Sequence, residues 1–333
     1  MKYILGIEST AHTFGIAVLD WDGKILSNEK DSFITADGAG GMIPMEVRKH
    51  HEKIGEEVYR KALALAKIEE KDISVIAFSN APGLAPCLLA GMSFAKSWAM
   101  RLNVPLVPVN HCVAHLEIGS TIGAKDPVML YASGANTQII AYESGKYRVF
   151  GETLDVGVGN FIDKVARFMG LGFPGGPKIQ KLAGECKNKK ELIDLPYSIK
   201  GMDVAFSGIM TKIRNYIENK KYSNEEIAYS MQEIVFAMLV EAAERAIAHT
   251  GKKELLLGGG VACNSRLQEM CKIMCNERGV KYFCPDRSLL VDNAGMIGYL
   301  GLKMFKAGIF EKDFGKVDIA PRERTDDVEV SWK

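Results

Sequence analysis

Residues 3–19, YILGIESTAHTFGIAVL, and residues 127–152, PVMLYASGANTQIIAYESGKYRVFGE, are the two stretches whose comparison decides the fold. Each opens on an apolar run of strand type, breaks at a turn of small residues and resumes as a second strand. In the first, YILGIE and FGIAVL flank STAHT, and a third strand follows Asp22-Gly23 from Lys24 to Asn28. In the second, a third strand follows the turn Ser144-Gly145. The agreement reaches single residues. Ser9, Ala11, Thr13, Ile16 and Ala17 match Ser133, Ala135, Thr137, Ile140 and Ala141 at one constant offset, and Gly23-Lys24 resembles Gly145-Lys146. The second half of the chain imitates the first.

Outward from these stretches, both halves continue with alternating helices and strands. A helix is predicted from Pro44 to Lys67, then a strand at VIAFSN, the loop APGLAP, a helix from Leu88 to Leu102 and a strand at LVPV. The second half gives helices at Asn160–Met169, Pro177–Cys186 and Asn224–Thr250, a buried strand at ELLLGGG, a helix over SRLQEMCKIMCNER, a strand at VKYFCP and a last helix at Asn293–Ala307. The pattern predicts an α/β chain with the duplicated actin-like ATPase fold shared by sugar kinases, Hsp70 and actin, whose halves are ribonuclease-H-like. Two lobes would enclose a nucleotide cleft, the two turns facing each other and offering backbone N–H groups to phosphate. The lobes are drawn at 1–125, with part of the last helix returning to it, and at 126–325, with a helical insertion; 326–333 is a polar tail.

Bulk composition excludes several classes. The 333 residues are 47% hydrophobic and 25% charged, and no apolar run approaches a membrane span. No export signal opens the sequence, and the seven cysteines include no C-x-x-C pair, so neither a disulfide framework nor a zinc ribbon is expected and a cytoplasmic location fits. The formal net charge of +1 does not mark a strongly basic nucleic-acid binder. Basic clusters at Arg48, Lys49 and Lys53, at Lys187, Lys189 and Lys190, and at Lys212, Arg214, Lys220 and Lys221 read as solvated faces.

Three motifs carry chemistry. Gly258, Gly259 and Gly260 end an apolar strand just before a helix opening at Asn264 and Ser265, where a ligand can approach backbone closely. A second pair, Gly175-Gly176 in FPGGPK, precedes another helix. His111 and His115 in NHCVAH are four apart, so on a helix both imidazoles share one face and can share a metal. Cys-Val-Ala lies between them, so the glutamate of H-E-x-x-H metalloproteases is missing. Oxygen donors such as Tyr131 or Asp292 could complete an iron-type or zinc-type set, and spacing alone does not choose them. Cys271 and Cys275 read as buried structural thiols, and His50-His51 as part of a solvated helix face.

The segments GIESTAHTFGIAV, PVNHCVAHLE, LYASGANTQI, LDVGVGNFIDKVAR, FPGGPKI, GGGVACNSRL and VDNAGMIG together resemble the universal tRNA N6-adenosine threonylcarbamoyltransferase family in its archaeal and eukaryotic form, the catalytic subunit of KEOPS complexes. The resemblance spans the chain from Tyr3 to Trp332. It implies transfer of a threonylcarbamoyl group from threonylcarbamoyl-AMP to the N6 amine of the adenosine 3′ to the anticodon in ANN-decoding tRNAs, with release of AMP. It implies metal ligands at His111, His115, Tyr131 and Asp292, with Fe(2+) the expected metal and zinc the alternative. It implies adenine-nucleotide contacts (threonylcarbamoyl-AMP or ATP) at Tyr131, Ala132, Ser133, Gly134, Ala135, Asp163, Gly176, Gln180 and Asn264. Position 180 departs from the family pattern, which carries an acid there to accept from ribose hydroxyls; Gln180 can also donate. Backbone N–H groups from Ser133 to Ala135 would hold the leaving phosphate. Glu8 and His12, on the first turn, are the candidates for a general base. Implied partners are tRNA, a kinase-like subunit, a dimerising subunit and a separate adenylate-forming enzyme, with no membrane.

Two other readings compete. A sugar kinase or ATPase of the same fold would share the glycine loops but would hold Mg²⁺ on oxygen ligands and have no use for two imidazoles. A nucleotide-switched scaffold would hydrolyse ATP slowly, independently of metal, and transfer no acyl group.

Overall fold

A computed structural model of the chain describes residues 2–35 and 42–333. In chain order the first half gives β1 (Tyr3–Glu8), β2 (Thr13–Asp20), β3 (Ile25–Ser32), α1 (Pro44–Ala66), β4 (Ile73–Ala81), α2 (Ala85–Leu102), β5 (Leu106–Asn110) and the short α3 (His111–Glu117). The second gives β6 (Val128–Ala132), β7 (Thr137–Glu143), β8 (Lys146–Glu152), α4 (Val158–Phe168), α5 (Gly175–Glu185), the small hairpin β9 (Ile199–Lys200) and β10 (Asp203–Val204), α6 (Ser207–Glu218), α7 (Asn224–Thr250), β11 (Glu254–Gly258), α8 (Ser265–Arg278), β12 (Lys281–Phe283), the single turn α9 (Arg287–Leu290) and α10 (Ala294–Lys306).

The duplication read from the two turns is repeated in the strand order. The first sheet runs β3-β2-β1-β4-β5 and the second β8-β7-β6-β11-β12. In each, a three-stranded meander is extended by two strands parallel to its first: β1 pairs antiparallel with β2 and parallel with β4, as β6 pairs antiparallel with β7 and parallel with β11. This is the actin-like α/β arrangement.

The chain forms two compact units. One comprises Met1–Ser120, Glu143–Tyr147 and Asp292–Lys333, the other Thr121–Tyr142 and Arg148–Val291. The sequence alone returns only part of the last helix to the first unit. In that unit both faces of the sheet are covered, so its strands read as near-continuous apolar runs. Leu5 and Ile7 of β1 point into a cluster with Val58, Tyr59, Ala62, Met92, Ala95 and Trp98 of α1 and α2. The alternate residue Gly6 faces α10, where a Cβ would meet Ala294 O and lie 2.7 Å from Gly298 N. Only glycine lets α10 approach that closely, and this contact seats the start of α10 beside β1.

The core of the second unit joins its sheet to α4, α5, α6, α7 and α8. Helix α7 is set by a capping box, Ser223 Oγ accepting from Glu226 N–H while the Glu226 carboxylate accepts from Ser223 N–H, and ends on Gly251 at φ 69°. Helix α6 has no counterpart in the sequence reading. It buries Ile209, Ile213 and Tyr216.

Candidate functional site

In the first unit the site begins with a helix cap. Asn110, the last residue of β5, accepts from the N–H groups of Cys112 (3.0 Å) and Val113 (3.2 Å), which starts α3 at His111. His111 and His115 then lie one turn apart on the same face, their ring centroids 4.8 Å apart. Asp292 comes from the other end of the chain. It stands just before Asn293, which is fully buried and caps α10 by accepting from Met296 N–H at 3.0 Å. The seating of α10 on the glycine of β1 fixes where Asp292 arrives.

His111 Nε2 is 3.4 Å and His115 Nε2 3.8 Å from the same oxygen, Asp292 Oδ1. One ligand atom from each of the three residues lies within 4.8 Å of the others. Donors held 2.0–2.2 Å from one tetrahedral ion sit about 3.4 Å from each other, so these spacings fit a metal with little adjustment. Both histidines are buried, at 5% and 1% exposure. Burial pulls the His111 imidazole down, but Glu8 and Asp292 outweigh it and hold the pKa well above the ordinary value. For His115 burial prevails and the pKa falls. Burial would raise the Asp292 carboxyl, yet the two imidazoles hold it well below the carboxylate range. Two nitrogens and a carboxylate oxygen, with opposite charges already drawn together, form a donor set suited to iron or zinc.

Glu8 lies behind His111. Its carboxylate is fully buried and accepts from His111 Nδ1 at 2.9 Å, from Thr10 N–H at 2.7 Å and from Thr10 Oγ1 at 2.5 Å. His12, the other candidate base, sits half-buried on the same turn, its carbonyl accepting from Phe33 N–H at 2.8 Å. Tyr131, the fourth expected ligand, is buried on β6 in the second unit.

The far end of α3 is anchored by a group the sequence reading missed. Glu117, 3% exposed, accepts from Trp332 Nε1 at 3.0 Å and also from Tyr147 Oη and Lys303 Nζ. Burial pushes its carboxyl up, but Lys303, Tyr147 and Trp332 pull it below its ordinary value. The helix that carries the histidines is therefore pinned at both ends. His50-His51 departs from the expected solvated face. His51 is 1% exposed, because it falls on the inner stripe of α1 with Val47, Gly55, Val58 and Tyr59, and its Nε2 lies 2.8 Å from Ala11 O.

In the second unit four of the expected nucleotide residues, Asp163, Gly176, Gln180 and Asn264, lie around α5 and the start of α8. Gly176 and Asn264 line a small cavity with Ile162, Ile179, Met231, Gln232, Val235 and Phe236. Its volume is about 10 Å³, one water's worth, so a purine enters only if these walls part. Asn264 accepts from Arg266 N–H at 2.8 Å and donates to Gln232 Oε1 at 3.0 Å. Gln180 Nε2 donates to Ser265 Oγ at 2.9 Å. Asp163 accepts from Gly175 N–H at 2.7 Å at the N-terminus of α5. Gln232 was missed by the sequence reading; the signal was a lone amide on the apolar face of a long helix.

Two of the expected loops in this unit pack against their own chain. Gly259 (φ +90°) is spent on close approach of chain to chain, since a Cβ there would collide with Ala132 O and lie 2.9 Å from Ser133 N. The Ser133 N–H is committed to Asn136 O at 2.9 Å, so of the amides from Ser133 to Ala135 only those of Gly134 and Ala135 make no hydrogen bond among the described residues. Cys271 and Cys275 are buried as expected, and burial raises both thiol pKa values, that of Cys275 to about 11. Among the described residues no helix is long and apolar enough to cross a membrane.

Comparison with known proteins gives the family. A family model described as "TsaD: tRNA N6-adenosine threonylcarbamoyltransferase" matches residues 24–299. A tRNA N6-adenosine threonylcarbamoyltransferase of Thermococcus sibiricus is 52% identical over 328 residues, covering 98% of this chain and 99% of the relative. A probable bifunctional tRNA threonylcarbamoyladenosine biosynthesis protein of Methanosarcina mazei is 48% identical, covering 99% of this chain and 59% of the relative. Among solved structures, HypF of T. kodakarensis superposes with a TM-score of 0.62 at 16% identity, over 94% of this chain and 48% of that one, a likeness of fold alone. With a matched model over most of its length and a relative of that identity end to end, the chain belongs to the tRNA N6-adenosine threonylcarbamoyltransferase family.

Proposed function

We propose that this transferase modifies tRNA by moving the threonylcarbamoyl group of threonylcarbamoyl-AMP to the N6 amine of the adenosine 3′ to the anticodon in ANN-decoding tRNAs. The amine nitrogen bonds to the carbamoyl carbon, the bond from that carbon to the phosphate oxygen breaks, AMP leaves and one proton is lost from nitrogen. The observation that carries the reading is the buried cluster of His111, His115 and Asp292. These three side chains would hold a metal, Fe(2+) in our reading and zinc as the alternative. A metal bound there supplies Lewis acidity toward a carbonyl oxygen. The second unit would bind the nucleotide: Asn264 and Gln180 offer polar contacts beside α8, Gly176 leaves room beside the base, and the amides of Gly134 and Ala135 offer donors to the departing phosphate. Asp163, tied to the amide of Gly175, would support the start of α5 at the nucleotide. A kinase-like subunit, a dimerising subunit and an adenylate-forming enzyme are the proposed partners, with tRNA the acceptor.

A phosphoryl-transfer reading is not favoured, because a kinase of this fold would hold Mg²⁺ on oxygens and leave two buried imidazoles without a task. The test supplies labelled threonine, ATP, bicarbonate, an adenylate-forming enzyme and unmodified tRNA, with and without KEOPS-type partners. Label should enter tRNA with the parent chain and fall to background with His111→Ala/His115→Ala. Full labelling by that double variant would sink the metal assignment, and phosphorylation of a small molecule in place of labelling would sink the transferase reading.

A further inference from the structure

We infer that Glu8 is a positioning residue: it fixes the tautomer and ring plane of His111, so that Nε2 is presented to the metal proposed above. The argument rests on how the carboxylate is held. One oxygen, Oε1, is gripped twice within its own turn, by Thr10 N–H at 2.7 Å and Thr10 Oγ1 at 2.5 Å. The other, Oε2, is thereby aimed at His111 Nδ1, 2.9 Å away. A carboxylate facing Nδ1 demands a proton on that nitrogen, and the remaining nitrogen, Nε2, is the one that points to Asp292 Oδ1 at 3.4 Å. Glu8 thus acts through His111, the arrangement by which a carboxylate behind a ligating imidazole both orients it and strengthens it as a donor.

The placement of charge points the same way. Glu8 is fully buried, and among the described residues its one ion-pair partner within 4 Å is His111. Asp292 faces the same ring from the other side. Two carboxylates thus converge on one imidazole, one on each of its nitrogens. The turn that presents Glu8 is itself braced: Ser9 N–H donates to Ser79 Oγ at 2.9 Å, and His51 Nε2 lies 2.8 Å from Ala11 O. These contacts tie the turn to β4 and α1 on either side of Thr10.

This inference rests on the metal reading, and the test separates the two. Co(2+), whose visible bands report coordination, is titrated into the full chain against a competing chelator, for the parent and for Glu8→Gln, Thr10→Val and His111→Ala/His115→Ala. Glu8→Gln should weaken Co(2+) binding by about 10- to 100-fold and alter its bands, as loss of a carboxylate behind a ligand does, while adenine-nucleotide affinity stays within twofold. Glu8→Asp, which keeps the charge, should recover part of the loss. Thr10→Val is nearly isosteric and keeps the Glu8 charge. It loosens the grip on Oε1 and should give a smaller loss in the same direction, which serves as the readout if Glu8→Gln does not fold. Co(2+) affinity within twofold of the parent in either variant, with the double histidine variant unable to bind, would overturn the role of Glu8 and leave the metal site standing. Undiminished binding by the double histidine variant would overturn the metal reading itself.

Discussion

After β1, Ser9 and Thr10 are buried beside a fully buried Glu8, the Ser9 N–H donates to Ser79 Oγ, and the Glu8 carboxylate accepts from Thr10 and faces His111 Nδ1. After β6, at the equivalent place in the duplicated sheet, Gly134 and Ala135 are exposed and the turn is closed on itself by Ser133 N–H to Asn136 O. One topology has thus been filled in two ways. The first turn carries a carboxylate, hydroxyls and an imidazole contact, and suits the orienting of a charged centre. The second has almost no side chain; its carbonyls instead accept from the start of α4, Ser133 O from Gly159 N–H at 3.0 Å and Gly134 O from Asn160 N–H at 2.8 Å. A turn held by its carbonyls keeps its outer amides free to donate, which is what an anionic group requires.

The largest effect that would break this contrast is expected at Gly159. A Cβ there would lie 2.7 Å from both Gly134 Cα and Ser133 O, so Gly159→Ala must push the second turn off α4. Overpacking of this kind costs about 1–3 kcal/mol, and displaced amides should lower adenine-nucleotide affinity by roughly tenfold or more. Calorimetric titration with nucleotide and with Co(2+) on the same protein would show it: nucleotide binding falls and metal binding does not. Equal loss of both would mean that the two turns do not work separately.

Acid should act on the first turn instead. Burial lowers His51 to about 4, more than its contact with Ala11 O raises it. The unfolded chain therefore takes up a proton near pH 6.5 that the folded chain refuses until about 4, and stability present above 6.5 is lost as pH falls through that window. The loss amounts to roughly 3 kcal/mol by pH 4. Melting temperatures between pH 7 and 4.5 should fall more steeply for the parent than for His51→Gln, which stays neutral. Parallel curves would show that His51 does not anchor the turn.

A smaller effect sharpens the contrast from the far end of α3. Trp332→Phe keeps an aromatic ring, smaller than the indole, and removes the donor at 3.0 Å from Glu117, which retains Tyr147 and Lys303. One hydrogen bond to a charged acceptor is worth about 1.5–3 kcal/mol. Chemical denaturation should report a loss at the low end of that range, and Co(2+) affinity should decline by less than in Glu8→Gln. A stability equal to the parent's would show that the tail does not support the helix.

What the sequence told and withheld follows from the range of each interaction. The repeated strands were readable because the apolar runs and small-residue turns are local, and the histidine pair because i, i+4 spacing acts within one helix. Asp292 joins that pair only through the seating of α10 on Gly6, across most of the chain, so spacing could not choose it. The burial of His51 was readable in principle, since it falls in register with Val47, Gly55 and Val58, but its charged neighbours conceal the stripe. Helix α6 escaped because Gly208, Thr211, Lys212, Arg214 and Asn215 interrupt its apolar residues, and its stability comes from packing Ile209, Ile213 and Tyr216 on the second core. Glu8 was visible as an acid on a turn, but its direction depends on Thr10 and His111 together.

Position 180 offers the mildest test, and it bears on the second unit alone. Gln180 Nε2 donates to Ser265 Oγ at 2.9 Å, close to the Asn264 cap of α8. In Gln180→Glu the carboxylate can accept from the same hydroxyl, so the link survives with its direction reversed. Gln180 is half-buried but its bond to Ser265 is exposed, which keeps the change in stability within about 0.5 kcal/mol. If residue 180 meets ribose, an acceptor-only group should bind the hydroxyls better, and a single hydrogen bond of about 0.5–1.5 kcal/mol corresponds to a gain of roughly two- to tenfold in nucleotide affinity. Metal binding, served by the other turn, should not change. A weaker nucleotide affinity in Gln180→Glu would place the phosphates, and not the ribose, near residue 180, and would move the polar end of the nucleotide toward the start of α8.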